Sequence, residues 1–186
     1  MAFETIKYTC ADNIAVITLN DPSTLNAASI GLAKELTAAL EQAGDEARCV
    51  IITGEGRGFC SGANLSSSDM NERTQKASKA DAGEALDSVY NPLMMAIREH
   101  PSPVITAVNG AAAGVGCALA LMGDMVIAGE SAYFLQAFSR IGLVPDGGSS
   151  WLLARTIGRV RAMEMTLLAE KVPASKAMEW GMVNKV

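Results

Sequence analysis

Histidine is almost missing from this chain, with His100 the only one, and its four cysteines (Cys10, Cys49, Cys60, Cys117) lie far apart and form no CxxC pair. A Cys/His metal site is therefore not expected, and free thiols fit a reducing, cytoplasmic setting. Positive charge is also short: 15 Lys and Arg face 20 Asp and Glu, for a formal net charge of -5, and no basic cluster breaks the balance. That argues against nucleic acid as the main partner. The first residues lack a charged stretch followed by an apolar one, so no secretory signal is read. No internal repeat or long low-complexity tract is present. Charge is absent between Pro103 and Asp124, a run long enough to raise the question of a membrane span. Asn109, four interior glycines and the closely following Asp124 would sit badly in lipid, whereas a strand followed by a helix explains the same letters, so no membrane partner is expected.

What is present is a chain of 186 residues, 49% of them hydrophobic, enough to bury one substantial core and to make 1–186 a single domain. Ten methionines fill core gaps or interface surface. Residues 3–10 and 14–19 alternate as two strands joined at Ala11-Asp12-Asn13. Leu32, Leu36, Leu40 and Ala43 recur at helical spacing from about Ser29 to Gly44. Residues 49–53, 104–108 and 125–128 read as short buried strands. Leu86, Val89, Leu93 and Ile97 mark a helix that Asn91-Pro92 either kinks or restarts. Further helices are expected around 149–156, around 160–169 and after Pro173-Ala174. Strands and helices alternating from residue 48 onward indicate an α/β fold with largely parallel pairing. The polar, serine-rich segment 66–80 reads as a mobile loop, either a lid or a plain connection.

Two glycine-bearing turns stand out. After the strand at 104–108 the chain turns at Asn109-Gly110 and enters a helix past Gly114 and Gly116. Bare backbone at these glycines permits positive φ and close approach, so the Val115 amide can meet a ligand's negative charge. The same letters also read as a tight strand-to-helix connection. Gly54-Glu-Gly-Arg-Gly-Phe-Cys-Ser-Gly-Ala-Asn-Leu65 is a second place that exposes amides, with neither the GxGxxG order nor a GK[ST] ending.

Three ordered motifs make the pattern specific: Gly58-Phe-Cys-Ser-Gly-Ala-Asn-Leu65, then Ala107-Val-Asn-Gly-Ala-Ala-Ala-Gly-Val-Gly-Cys-Ala118, then Gly142-Leu-Val-Pro-Asp-Gly-Gly148. In order and spacing the chain resembles the crotonase family, also called the enoyl-CoA hydratase/isomerase family. The resemblance implies a spiral of ββα units, a coenzyme A thioester as substrate and no further cofactor, and a homo-trimer or hexamer. It implies an oxyanion hole made by the amides of Ala63 and Val115, with substrate bound along Leu25, Ala27, Ser61, Gly62, Asn64, Leu65 and Gly114. Such a hole serves a thioester oxygen that turns anionic during reaction. Family members usually continue for several dozen residues past the Gly-Met-Val-Asn-Lys-Val ending, so a C-terminal helical segment is expected to be missing here.

Hydratases of that family place glutamates two residues after the second glycine of the central turn and about twenty residues further on, where this chain has Ala118 and Phe138. Asp146 remains. It reads either as a cap for the helix that follows, a role Ser149 could take instead, or as an acid/base whose basicity rises in an apolar setting of Ile141, Leu143, Val144 and Trp151. The expected function is then a double-bond or ring-rearranging isomerase of acyl-CoA. A hydratase-type lyase, a thioester hydrolase, a dehalogenase with Asp146 as nucleophile, and a non-catalytic acyl-CoA binding or assembly subunit are the alternatives. His100 reads as a surface residue near a helix end, Arg57, Lys34 and Arg73 as solvated charges or phosphate contacts, and Cys60 and Cys117 as packing residues.

Overall fold

The computed structural model describes residues 3–64 and 82–186, and the expectations for Leu65, Arg73 and the loop at 66–80 fall outside them. Strands β1 (Ile6–Ala11) and β2 (Ile14–Leu19) pair antiparallel, from Ile6 opposite Leu19 to Ala11 opposite Ile14. Asp12 and Asn13 turn the hairpin with φ of 51° and 62°, the left-handed pair that a tight hairpin of right-twisted strands demands. Helix α1 (Ile30–Glu46) follows, and Ser29 caps it by accepting the Leu32 N–H on its Oγ at 3.1 Å. Its buried face is the one the spacing predicts, Leu32, Leu36, Leu40 and Ala43, joined by Ala33 and Ala39.

From β3 (Cys49–Gly54) onward, strands come in pairs. β3 is followed by β4 (Gly58–Cys60), β5 (Val104–Val108) by β6 (Ala111–Ala113), and β7 (Met125–Ala128) by β8 (Tyr133–Leu135). The first strand of each pair joins one sheet, ordered β1-β2-β3-β5-β7, and the second joins another, ordered β4-β6-β8-β9 with β9 at Val172–Pro173. Pairing is parallel except at β1 and β9, the antiparallel outer strands. This is the spiral of ββα units. The strands of the second sheet escape the sequence pattern because each has at most three residues and β6 is all alanine. Close approach specifies them instead. A Cβ on Gly110 would lie 2.0 Å from Arg57 O, and one on Gly116 2.2 Å from Cys60 O. Neither glycine adopts positive φ, so their role is space and not turn geometry.

Helix α2 (Ala82–Ala85) runs through a π-helical turn at Leu86–Tyr90 into α3 (Asn91–Arg98). The wide turn, closed by Asn91 N–H donating to Leu86 O, accommodates Pro92, which has no N–H and would crowd the carbonyl four residues back. Helix α4 (Val115–Leu121) is wholly buried. Helix α5 (Ser149–Leu168) is broken at Gly158 (φ 78°, ψ 159°), which gives the two helical pieces expected, and α6 (Ala174–Glu179) follows. His100 lies just past the end of α3, as expected, but less exposed than a surface residue. Its ring is half-buried, with Nε2 3.1 Å from Leu40 O of α1 and Nδ1 2.9 Å from Ser102 O.

Two asparagines fasten the loops that border the second sheet. Asn109 accepts the Gly54 N–H on Oδ1 at 3.1 Å and donates to Gly56 O at 2.9 Å. Asn26, fully buried at φ 58°, accepts the Asp21 N–H at 2.9 Å and donates to Glu55 O at 3.0 Å and Gly58 O at 2.8 Å. Replacing it strands buried backbone groups and puts an unfavourable side chain at positive φ. Asn26→Ala is expected to cost about 1–3 kcal/mol, read as a lower urea midpoint with unchanged slope.

Candidate active site

Strands β4 and β6 run parallel and end side by side, so the chain leaves the sheet at Cys60 and at Ala113 in neighbouring places. Each exit turns on a glycine of positive φ, Gly62 at 106° and Gly114 at 54°. The two turns touch backbone to backbone: a Cβ on Gly62 would lie 2.9 Å from Ala113 O and 3.9 Å from Gly114 Cα. Ala63 then forms a parallel bridge with Ala28. In that bridge Ala28 N–H donates to Gly62 O at 2.7 Å and Ala28 O accepts from Asn64 N–H at 3.4 Å. A residue flanked this way presents its own N–H to the opposite side. For Ala63 that is the side away from Ala28. Val115 is the first residue of α4, and its N–H has no acceptor within the helix.

Both residues line one cleft of about 140 Å³, together with Ser61, Gly62, Gly114 and Asp146. Asp146 reaches the same cleft because Gly147, at φ 56°, lets the turn pack onto α4. A Cβ there would lie 3.1 Å from the Ala118 methyl and 3.3 Å from Val115 Cγ2. The Asp146 carboxylate is half-buried, its Oδ1 is buried without a hydrogen-bond partner, and burial pushes its pKa above the usual carboxylate value. The capping alternative fails: α5 has Gly148 as its N-cap with no side-chain cap, and Asp146 contributes only its backbone O, which accepts from Ser149 N–H at 2.9 Å.

The remaining candidates divide. Ser61 lines the cleft while its Oγ donates to Thr24 O at 2.8 Å. Leu25 and Ala27 are not part of the lining. Leu25, left-handed at φ 57°, accepts the Ser61 N–H on its carbonyl at 3.0 Å, and buried Ala27 donates its N–H to Thr24 Oγ1 at 3.1 Å. Asn64 follows the bridge, and Leu65 lies outside the described residues. Ala118 and Phe138 are both buried, and Phe138 lines the cleft. Val144 and Trp151 do not supply the apolar setting expected of them. Val144 is 80% exposed, and Trp151 faces a second cavity, of about 300 Å³, with Met94, Met122 and Leu152 behind Gly147 and Gly148. Leu86 and Tyr90 take their place, with Tyr90 donating its hydroxyl to Ala28 O at 2.6 Å. Leu86 carried only a helical-spacing signal, and Tyr90 none. Arg57 and Lys34 are exposed. Burial pushes the Cys60 thiol up to about 11 and the Cys117 thiol to about 12, as befits packing residues and not nucleophiles.

Two backbone donors and one desolvated carboxylate around an apolar cleft suit a reaction in which a carbon acid loses a proton while charge gathers on a neighbouring oxygen. Residues 9–186 match the family model described as enoyl-CoA hydratase/isomerase. The chain is 46% identical over 183 residues to a probable enoyl-CoA hydratase of Rhodobacter capsulatus, covering 98% of this chain and 68% of that protein. It is 44% identical to the 1,2-epoxyphenylacetyl-CoA isomerase of Escherichia coli, covering 93% of this chain and 66% of that one. It is 33% identical to the trans-2-decenoyl-[acyl-carrier-protein] isomerase of Streptococcus mutans, covering all of this chain and 70% of that one. The chain thus spans about two thirds of the length of these relatives. Among solved structures, an enoyl-CoA hydratase/isomerase from Mycobacterium abscessus superposes with a TM-score of 0.90 at 36% identity, covering 97% of this chain and 70% of that one. An enoyl-CoA hydratase from Bacillus anthracis does so with 0.88 at 33% identity, covering 98% and 70%.

Asp146 also makes stability depend on pH. Its folded pKa lies above the unfolded value of 3.8, so the contribution it makes to folding is present below 3.8 and lost as pH rises through the folded value. The isosteric, uncharged Asp146→Asn variant is therefore expected to match the parent at pH below 3.8 and to be the more stable of the two at neutral pH, read from paired urea midpoints.

Proposed function

Because the chain belongs to the enoyl-CoA hydratase/isomerase family, we propose that it shifts the double bond of an enoyl-CoA, with Asp146 moving the proton and the amides of Ala63 and Val115 holding the thioester oxygen. In this reading the carboxylate takes a proton from C2 of a 3-enoyl thioester, and the electron pair delocalises onto the carbonyl oxygen. The two N–H groups hold that oxygen as it turns anionic. The carboxylic acid so formed returns the proton at C4, giving the conjugated 2-enoyl thioester and restoring the carboxylate. Atoms and charge balance with one acid/base group and no cofactor beyond the coenzyme A of the substrate.

The observation that carries this reading is the Asp146 Oδ1, buried without a partner on a cleft whose other candidate acid positions, Ala118 and Phe138, are apolar. Water addition calls for two polarising groups, and the cleft lining includes Asp146 as its one carboxylate among the described residues. The isomerase names of the Escherichia coli and Streptococcus mutans relatives point the same way. The hydratase name of the Rhodobacter capsulatus relative points to the alternative. We also propose a homo-oligomer of trimeric order: Val160, Leu167 and Leu168 stand 77%, 64% and 60% exposed on the second half of α5, a face that association would cover.

Incubating the protein with a 3-enoyl-CoA and following formation of the conjugated 2-enoyl product tests the reaction. Turnover is expected, reduced about 10²- to 10⁴-fold in Asp146→Ala. Gly62→Ala, which must push Ala63 off its line because a Cβ there meets Ala113 O at 2.9 Å, is expected to lose about 10²-fold. Full turnover by Asp146→Ala rejects the assignment. A 3-hydroxyacyl product transfers it to a hydratase, and label from water in the Asp146 carboxylate after one turnover transfers it to covalent chemistry. Sedimentation at micromolar concentration reads the oligomer, and a monomer there removes that part.

A further inference from the structure

Among the described residues four polar side chains are fully buried: Asn26, Thr106, Gln136 and Ser149. The first two are well served. Asn26 makes the three bonds given above, and Thr106 Oγ1 donates to Ala120 O at 2.6 Å. Gln136 is not. Its Nε2 meets Ser149 Oγ at 3.5 Å, at the limit of a hydrogen bond, and its Oε1 has no donor. The other buried side-chain oxygen left without a partner is Asp146 Oδ1, in the same part of the molecule. A buried amide that is half-satisfied is costly, and an apolar side chain of equal length would fill the same space without that cost.

Its position suggests what it does. Gln136 directly follows β8, whose last residue, Leu135, accepts the Gly114 N–H at 2.8 Å and so holds the turn that presents Val115. The Gln136 side chain reaches the Cys117 sulfur on the first turn of α4. It also reaches Ser149, whose N–H closes the Asp146 turn at 2.9 Å. One amide therefore touches the helix that carries a candidate oxyanion donor and the turn that carries the candidate acid/base. We infer that Gln136 is a positioning residue that sets the Asp146 turn against α4, fixing the span between carboxylate and amide donors. This rests on the isomerase reading for its consequence in catalysis, but not for its effect on the carboxylate itself.

The test uses Gln136→Met, Gln136→Glu and Ser149→Ala in the full chain, with two readouts. The first is kcat and KM for 3-enoyl-CoA across pH. The second is NMR titration of carbon-labelled aspartate side chains, with the Asp146 signal assigned by its loss in Asp146→Asn. Other groups around the cleft are distinguishable. Tyr90 on the π turn is a phenol bound to Ala28 O, Cys117 on α4 titrates only near about 12, Arg140 on the turn at Ala137–Ile141 binds Ala169 O, and Arg98 on α3 lies over Trp151. Gln136→Met is expected to lower kcat about 10- to 100-fold with KM changed less than about threefold, the signature of misplaced groups and not of lost binding. Gln136→Glu is expected to move the Asp146 midpoint upward, because a second carboxyl beside the turn disfavours the first charge. Ser149→Ala is expected to repeat part of the kcat loss and to add little in the double variant. An unmoved Asp146 midpoint in both Gln136 variants, or a kcat within twofold of the parent, overturns the inference. Should Gln136→Met fail to fold, Gln136→Glu and Ser149→Ala carry the decision by the same readings. Should the parent itself not turn over 3-enoyl-CoA, the functional reading falls while the titration still decides the role of Gln136.

Discussion

The contact between the Gly62 and Gly114 turns is the constraint on which the rest of the site depends. Two parallel strands deliver their ends to the same edge of a sheet, but side chains ordinarily keep the departing loops apart. Here the Cβ positions are empty where Gly62 faces Ala113 O and where Gly116 faces Cys60 O, so main chain packs on main chain. The Ala28 bridge then fixes which way each peptide near Ala63 points. In the proposed role, an amide held by that bridge would already be oriented when a ligand arrives, and little energy would be spent turning it. Side chains at Ala63 and Val115 matter little to such a role. Glycine beside them matters a great deal.

The carboxylate is held by the same logic. Gly147 lies close enough to Ala118 and Val115 that neither position has room to grow without moving the turn. A long acidic side chain at 118 and the observed path of residues 145–148 therefore compete for one space. This chain has settled that competition with a methyl at 118 and a carboxylate at 146. The choice has a thermodynamic consequence, since Asp146 is partly desolvated with an unpaired oxygen. Strain of that kind persists where surrounding packing over-determines it, and here that packing includes the fully buried α4 and the core beneath it.

Much of this was legible in the letters, and the parts that were not share a cause. The first sheet was readable because β2, β3, β5 and β7 are apolar runs with β-branched residues, and α1 because its leucines recur at the right spacing. The second sheet was not, because Ala111–Ala113 becomes a strand only through its neighbours. The Val115 amide was suggested by its glycine turn, Ala63 and the weight given to Asp146 came from the resemblance, and the three residues line one cleft. Leu25 and Ala27 came from the same resemblance and are not among the residues lining that cleft. Trp151 was misplaced as well: five residues beyond Asp146, on a new helix, it points into another cavity. Gln136 left no pattern at all. A single polar residue between an apolar strand and a short 3-10 turn stands out only once its burial is known.

In the isomerisation proposed above, a lone carboxylate would both take and return a proton and would need protection from water in between, which the walls of this cleft are suited to supply in stages. Phe138 is buried beside the Gly114 turn, whereas Ile141 and Leu143 line the same cleft at 54% and 49% exposure. An acyl chain entering past them would cover apolar surface on both partners and at once remove water from Asp146. Burial already raises the affinity of that group for protons, and further desolvation raises it more. The carboxylate would then be a stronger base with substrate present than without it, and the proton, once taken, would find no solvent to escape to before C4 presents itself. Under that proposal binding and basicity would be coupled through the same exposed side chains, and apolar groups that look wasted on a surface would belong at the rim of this site.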